Sequence, residues 1–458
     1  MTGPAPGRFL LACIDAGGTV PPVLGLAGGL SGRGHDVLVL GDPTVARSAR
    51  AAGCSFTPWV TAPTVSSVQE QTALIKDMEG RNPLAQFRFA RDRIICGPAR
   101  QFADDVVATV REHPVDAVLV DAVLPGALIG AEATGCPTAA LMANIYVRPT
   151  PDRPQLGTGW APAGGVVGRG RDRLVAVVVN GLLATGLPAI NRARAAHGLT
   201  PIGDLYELLD RCARVLVMTS PSFDFVPSTL PANVRYVGPQ LEDPDWATTP
   251  ETADWRPDGA GPLVLVAMSS VYQAQAEILR RVARVLGRLG VRAVVTTGRA
   301  IDPAEVPAPG KVRVVRAAPH RQVLTETSVV ITHAGHGSVL KALAAGVPLI
   351  CMPQGRDQKD NTTRVLRLGA GVRISKRASE EQIAAAVRAV LDNPTYTSAA
   401  RRFAATLSTE AVRYPNATQE TENLLTHTHH RAWDASGPPM AARVHTTGPP
   451  THVDLGGE

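Results

Sequence analysis

THAGHGSVLKALAAGVPLICMPQGRDQKDNTTRVLRLGAG, residues 332–371, is the stretch on which the reading of this chain turns. An apolar run, Ser328 to Thr332, ends in a tight turn, His333-Ala334-Gly335-His336-Gly337, and a helical pattern follows over His336–Ala345. Glycines let a backbone approach an anion closely. The free amides and dipole of a helix start favour negative charge by about 0.3–1 kcal/mol, and by up to about 2 in partly buried geometry. A histidine in such a turn adds a donor for a diphosphate oxygen. A second apolar run, Val347–Met352, ends in Pro353-Gln354, and the polar loop Gly355-Arg356-Asp357-Gln358 opens the next helix. This sets an acid and an amide side by side at a neighbouring strand's carboxyl end. A carboxylate that accepts two bonds, next to an amide that donates and accepts, suits a vicinal diol such as a sugar's.

The same alternation extends outward on both sides. Leu263–Met268, Val291–Thr296 and Val312–Val315 read as strands, with a helix over Gln273–Leu289. The N-terminal half repeats the pattern with strands Phe9–Ile14, Asp36–Leu40, Ala117–Asp121 and Thr138–Met142 and helices Pro22–Gly32 and Pro125–Ala133. Strands separated by helical patterns of this length imply βαβ units and parallel sheets covered on both faces. The expected fold class is α/β, two Rossmann-like doubly wound domains. Residues 1–237 form the first, the Pro-, Asp- and Trp-rich stretch 238–261 a linker, and 262–394 the second. Residues 395–426 are expected as a helical segment packing back toward the first domain, and 427–458, with His427, His429 and His430, as a disordered tail rather than a metal site. Inserts at 57–111 and 144–170 fall where ligands meet a doubly wound sheet.

Composition narrows the classes. Hydrophobic residues are 45%, aromatics 4%, and the net charge is +6 from 46 basic and 40 acidic residues, a mild bias over 458 positions. With no basic block and no basic stretch interleaved with aromatics, nucleic acid is not an expected partner. The six cysteines form no CxxC pair and read as small buried hydrophobes in a reducing compartment. The start of the chain does not read as a signal peptide, and no uncharged apolar run reaches the ~20 residues of a membrane span. Leu174–Ile190 comes nearest, interrupted by Asn180, Pro188 and two glycines. The expected location is the cytoplasm.

On these residues the segment of about 55 positions from Ala317 resembles the nucleotide-sugar signature of family 1 glycosyltransferases, enzymes of GT-B fold. The chain as a whole is similar in layout, over most of residues 8–425, to the actinobacterial transferases that decorate antibiotics, of the erythromycin desosaminyl type. The resemblance implies that His333 and the amides of Gly337 and Ser338 hold a diphosphate, with Gly335 and His336 also in the donor site. It implies that Asp357 and Gln358 hold the sugar, that Ser269 and Ser270 approach the phosphate and acceptor, and that Ala317, Ala318 and His320 flank the base. Two positions depart from the family. Ala317 stands where an aromatic often stacks on the base, and Lys341 where a ribose-binding Glu is usual. The branch favours dTDP over UDP.

The resemblance also places a catalytic histidine in the first βα loop, steadied by an aspartate after a later strand. Here Thr19 occupies the histidine's place, while Asp121 ends its strand and Asp15 ends the first. Three explanations stand open: Asp121 or Asp15 is the base, the acceptor is acidic enough to need little help, or the chain is a non-catalytic auxiliary to another transferase. His35, in Gly34-His35-Asp36, is read as a turn residue. No metal is expected, since the one DxD, Asp243-Pro244-Asp245, falls in the linker. The reading is an inverting, metal-independent glycosyltransferase, with no cofactor beyond the nucleotide sugar as co-substrate. It moves a hexose or deoxyhexose to a small apolar natural-product acceptor, and it allows a homodimer or an auxiliary protein as partner.

Overall fold

A strand with no polar residue has to be covered on both faces, and in an all-parallel sheet crossover helices do the covering. A computed structural model describes residues 6–79, 82–163, 165–269 and 275–428. Of the tail expected over 427–458, His427 and Thr428 fall within the last helix, Ala417–Thr428, while residues from 429 onward, with His429 and His430, lie outside the described residues, as does the expected phosphate-loop residue Ser270.

The first sheet is built from β1 Arg8–Ala12, β2 Asp36–Gly41, β3 Ser55–Pro58, β4 Ala117–Asp121, β5 Thr138–Met142, β6 Arg214–Val217 and β7 Val234–Tyr236. Its order is β3-β2-β1-β4-β5-β6-β7, parallel throughout. Every residue of β4 and β5 is buried, which is why these two runs are the easiest to read. The second sheet comprises β8 Leu263–Ala267, β9 Arg292–Thr296, β10 Val312–Val315, β11 Thr327–Thr332, β12 Leu349–Cys351 and β13 Gly371–Arg373, in the order β10-β9-β8-β11-β12-β13. Strand β12 is shorter than the expected Val347–Met352 because its ladder begins at Leu349, which pairs with Gly371 just beyond Pro348. The helix expected from Gln273 runs over Ala276–Leu289.

In each sheet the strand order reverses between two neighbours, β1 and β4 in the first, β8 and β11 in the second. A crevice opens at the carboxyl ends of such a pair. The first crevice therefore receives Asp15 and Thr19, with Asp121 buried behind them, and the second Ser269 and His333.

Residues 238–261 are more than a linker. Two short 3₁₀ turns, Asp245–Ala247 and Pro250–Thr252, shape the segment, and Trp255 is wholly buried in the core of the second sheet. Beyond the second sheet, the helix Pro394–Arg413 packs Ala399, Ala400, Phe403 and Leu407 onto the same core. The helix Ala417–Thr428 then crosses to the first sheet, placing Ala417 and Leu424 in its core. Glu422 there meets Arg33 Nε at 2.6 Å and His35 Nε2 at 3.0 Å, and His35 Nδ1 accepts from the Gly7 amide. His35 is thus a structural residue.

Candidate active site

The two crevices face each other across a cleft of about 340 Å³. Its walls include Thr19, Ser269, Ala317, Ala318, His320, His333, Gly335, His336, Gly337, Ser338, Asp357 and Gln358, so the structure brings together every described member of the expected donor site.

His333 sits where β11 ends. The next residue, Ala334, is left-handed at φ 67°, its amide held by Thr332 Oγ1 at 3.2 Å and its carbonyl by Asn361 Nδ2 at 3.1 Å. The chain then enters the helix His336–Ala344 through Gly335. A Cβ at Gly335 would lie 2.5 Å from His333 Nε2, so only glycine lets the ring fold over the turn. No side chain caps this helix, and Gly337 faces open space. Burial holds the His333 ring at about 4, against a partial opposing effect of Asp357, so the imidazole is neutral at pH 7. Burial likewise lowers His336, whose ring packs edge-on to Phe223 at 5.8 Å.

The loop after β12 is under local strain: Arg356 is a non-glycine residue at φ 53°. Asp357 is anchored through one oxygen to Asn361 Nδ2 at 2.7 Å. Gln358 is buried, and its Oε1 accepts from the Gln354 and Gly355 amides at 2.7 and 3.1 Å. Its oxygen therefore fastens the loop, which leaves it less of the donor-and-acceptor role expected from sequence. Ser269 is pinned in the same manner, its amide and carbonyl bonded to the two ends of the buried Gln275 amide.

Lys341 stands in a setting that sequence did not suggest. Its Nζ lies 2.6 Å from Asp243 Oδ1, the pair is largely buried, and Asp243 Oδ2 accepts from the Arg321 amide. Burial, and next the Lys341 charge, push neighbouring His320 down to about 4. The DxD aspartates are thereby separated in role: Asp243 holds Lys341, while Asp245 accepts from Ser48 Oγ at 2.6 Å. Among the described residues no group of three or more His, Cys, Asp or Glu side chains is placed to hold a metal ion.

Across the cleft, Thr19 precedes the helix Val20–Ser31 and its hydroxyl is buried without a hydrogen bond of normal geometry. Asp121 lies behind it and lines neither the cleft nor the neighbouring cavity. Although Asp121 ends its strand at the carboxyl edge, it does not face the open cleft: full burial there leaves Thr19 between it and solvent. One carboxylate oxygen accepts from the Val123 amide at 3.2 Å, and the other has the Thr19 hydroxyl beside it without a hydrogen bond of normal geometry. Burial pushes this carboxyl up to about 6, with Val123 and Thr19 opposing. Asp15 is committed: Oδ1 accepts from Gly17, and Oδ2 meets Arg299 of the second half at 3.2 Å.

Beside the cleft lies a cavity of about 890 Å³ with an apolar wall of Ile14, Leu74, Ile75, Phe89, Ile94 and Phe102. Ala16 and Arg356 line both spaces, so the two are joined there. The insert 57–111 supplies most of this wall. The insert 144–170 does something different: Gly157 and Gly159 bond Asp360, and Arg153 joins Arg364 around Asp224. Those residues dock the insert on the helix Gln358–Leu368. Sequence reasoning missed the Lys341–Asp243, Arg299–Asp15 and Asp224 pairings, for which the sequence carries no local signal.

Residues 280–423 match the model of the erythromycin biosynthesis protein CIII-like C-terminal domain. The chain is similar to 4'-demethylrebeccamycin synthase of Lentzea aerocolonigenes, 29% identical over 410 residues, covering 86% of this chain and 94% of that protein. Its fold is similar to the glycotransferase of kitacinnamycin (TM-score 0.68, 22% identity, 93% of this chain and 99% of that one). It is likewise similar to glycosyltransferase VinC in complex with DTDP (TM-score 0.63, 19% identity, 92% and 100%).

Proposed function

We propose, from the premise that this chain is a GT-B glycosyltransferase of antibiotic type whose C-terminal domain belongs to the erythromycin CIII-like family, that it transfers a hexose or deoxyhexose from a nucleotide diphosphate sugar to an apolar natural product with inversion. The observation that carries this reading is the junction at Ala16 and Arg356, where a cleft that presents His333, the helix start Gly337-Ser338 and Asp357 opens into a second cavity with an apolar wall. The donor's phosphates lie on the first turn of the helix His336–Ala344 with His333 beside them, and the sugar lies against Asp357. Thymidine diphosphate, the nucleotide bound in the VinC complex, is the nucleotide this reading expects.

The acceptor's nucleophilic atom enters from the cavity and attacks the anomeric carbon as the bond to phosphate breaks. The nucleoside diphosphate leaves with that electron pair. The acceptor's proton passes to the Thr19 oxygen while the Thr19 proton passes to the Asp121 oxygen that the Val123 amide does not hold. Helix amides and neutral His333 stabilise the charge that grows on the leaving phosphate, so the scheme uses no metal.

Calorimetry with dTDP, UDP and the corresponding sugars tests the donor half. His333→Ala should weaken the free nucleotide, whereas Asp357→Ala should spare it and impair only the intact sugar donor. Equal loss of free nucleotide in both variants would refute the assignment. A second reading, a non-catalytic auxiliary of another transferase, is favoured by Thr19 alone; donor binding without turnover on any acceptor would select it.

A further inference from the structure

The helix Val166–Ala184 turns an apolar face to water. Of the thirteen large hydrophobic residues exposed among the described residues, five lie on it: Val166 at 78%, Val167 at 89%, Leu174 at 65%, Val177 at 62% and Val178 at 56%. At 3.6 residues per turn these side chains occupy one arc of about 120°. Arg169 and Arg173, both exposed, border the arc on one side. Arg171 borders it on the other, stacked on Trp160 at 3.9 Å. The helix has a single acid, Asp172, which is buried against the protein and bonded to Arg171. The exposed arc therefore joins aliphatic surface to one margin, Arg169 and Arg173, that the helix's single acid does not neutralise, since Asp172 pairs with Arg171 on the other margin.

We propose that this face docks on an anionic lipid surface, lying in its plane. An aliphatic stripe flanked by arginines is the pattern of a helix that sinks its apolar side into the headgroup boundary while its cations meet lipid phosphates. The arc holds no tyrosine, tryptophan or methionine of the kind that anchors protein interfaces, so a lipid surface fits it better than a partner protein. The helix does not cross the bilayer. It bends by 47° into the helix Leu187–Ala196, whose Ile190, Ala193 and Arg194 are buried in the protein.

The position gives the docking a purpose that rests on the transferase reading above. Just past the helix, Thr185 Oγ1 bonds Arg91 Nη1 at 2.7 Å, and the turn Arg91–Ile95 supplies Asp92, Arg93 and Ile94 to the wall of the apolar cavity. A bilayer bound at this face lies beside that wall and supplies apolar acceptor to it.

Flotation of the full chain with vesicles, in the absence of donor and acceptor, tests the docking separately from the transferase reading. Binding to equimolar phosphatidylcholine and phosphatidylglycerol is expected, with little to phosphatidylcholine alone. Arg169→Gln and Arg173→Gln should each weaken it about fivefold. Leu174→Ser with Val177→Ser should abolish it without lowering Tm, since both side chains already face water. Failure of the unaltered protein to float with the mixed vesicles would overturn the proposal, as would flotation of the serine variant equal to its own. A self-association on size exclusion that the serine variant loses, with no flotation, would instead assign the face to a second copy.

Discussion

At Thr19 and Asp121 a hydroxyl and a carboxylate oxygen are buried against each other with no hydrogen bond of normal geometry on either. A buried unpaired polar atom costs about 1–3 kcal/mol, so a chain that keeps two of them adjacent has a use for the arrangement or tolerates a defect. Asp121→Asn separates these. If the relay operates, turnover falls by about 10²–10⁴, the usual worth of a general base, while donor affinity, whose contacts lie across the cleft, stays unchanged. Stability moves the opposite way. The carboxyl's ordinary 3.8 is raised to about 6 in the fold, so the folded state binds this proton more tightly than the unfolded chain does. That contribution is fully present below about pH 4 and is lost as pH rises toward 6. Above pH 6 the ionised group costs up to about 3 kcal/mol, which an asparagine relieves. The Asn variant should therefore melt at or above the temperature of the unaltered protein at pH 7.5 while turning over slowly. The unaltered enzyme should lose activity as pH falls through about 6. Near-normal turnover of the Asn variant on an alcohol acceptor would exclude Asp121.

The segment 238–261 shows how one element can serve two purposes. Trp255 anchors it in the second core, and Asp243 reaches into the cleft to hold Lys341. Removing one partner from a largely buried ion pair strands the other. Lys341→Met should accordingly destabilise the chain by about 3 kcal/mol, read from denaturant unfolding, and Lys341→Met with Asp243→Asn by clearly less. Additive losses in the pair would mean that the two side chains do not depend on each other. The same pairing explains how a lysine fits where the family usually has an acid: its charge is neutralised from the segment between the sheets.

Across the whole molecule, a buried cluster ties the halves together. Asp224, following the first sheet's β6, accepts from Arg153, Arg364, Tyr236 Oη and the Tyr146 amide. The two arginines offset the burial that would otherwise raise it, and its carboxyl sits below the usual range. Arg364 belongs to the helix that Asp357 opens, so the cluster also fixes the loop that carries Asp357. Arg364→Met should cost about 3–5 kcal/mol of stability and weaken binding of the sugar donor more than of free nucleoside diphosphate. A loss below about 0.5 kcal/mol, within the range of an ordinary surface change, would show that the cluster is not a clamp.

The sequence by itself determined what near neighbours control. Apolar runs such as Ala117–Asp121 read as strands because burial on both faces leaves no polar position in them. The turn His333–Gly337 read as an anion site because glycine and a helix start are local features. The ends of β11 and β12 set His333 and Asp357 at adjacent positions because parallel strands align their carboxyl ends. Tertiary structure alone decided the rest. Lys341 found Asp243 at a separation of 98 residues, and Arg299 found Asp15 at 284. Asp121 came to lie behind Thr19, Gln358 turned its oxygen onto its own loop, and the stripe on Val166–Ala184 stayed in water. Strand and turn formation depend on dihedral preference and short-range periodicity, which are written along the chain. Charge pairing and burial depend on which distant segments the packed sheets bring together, and no local pattern encodes that distance.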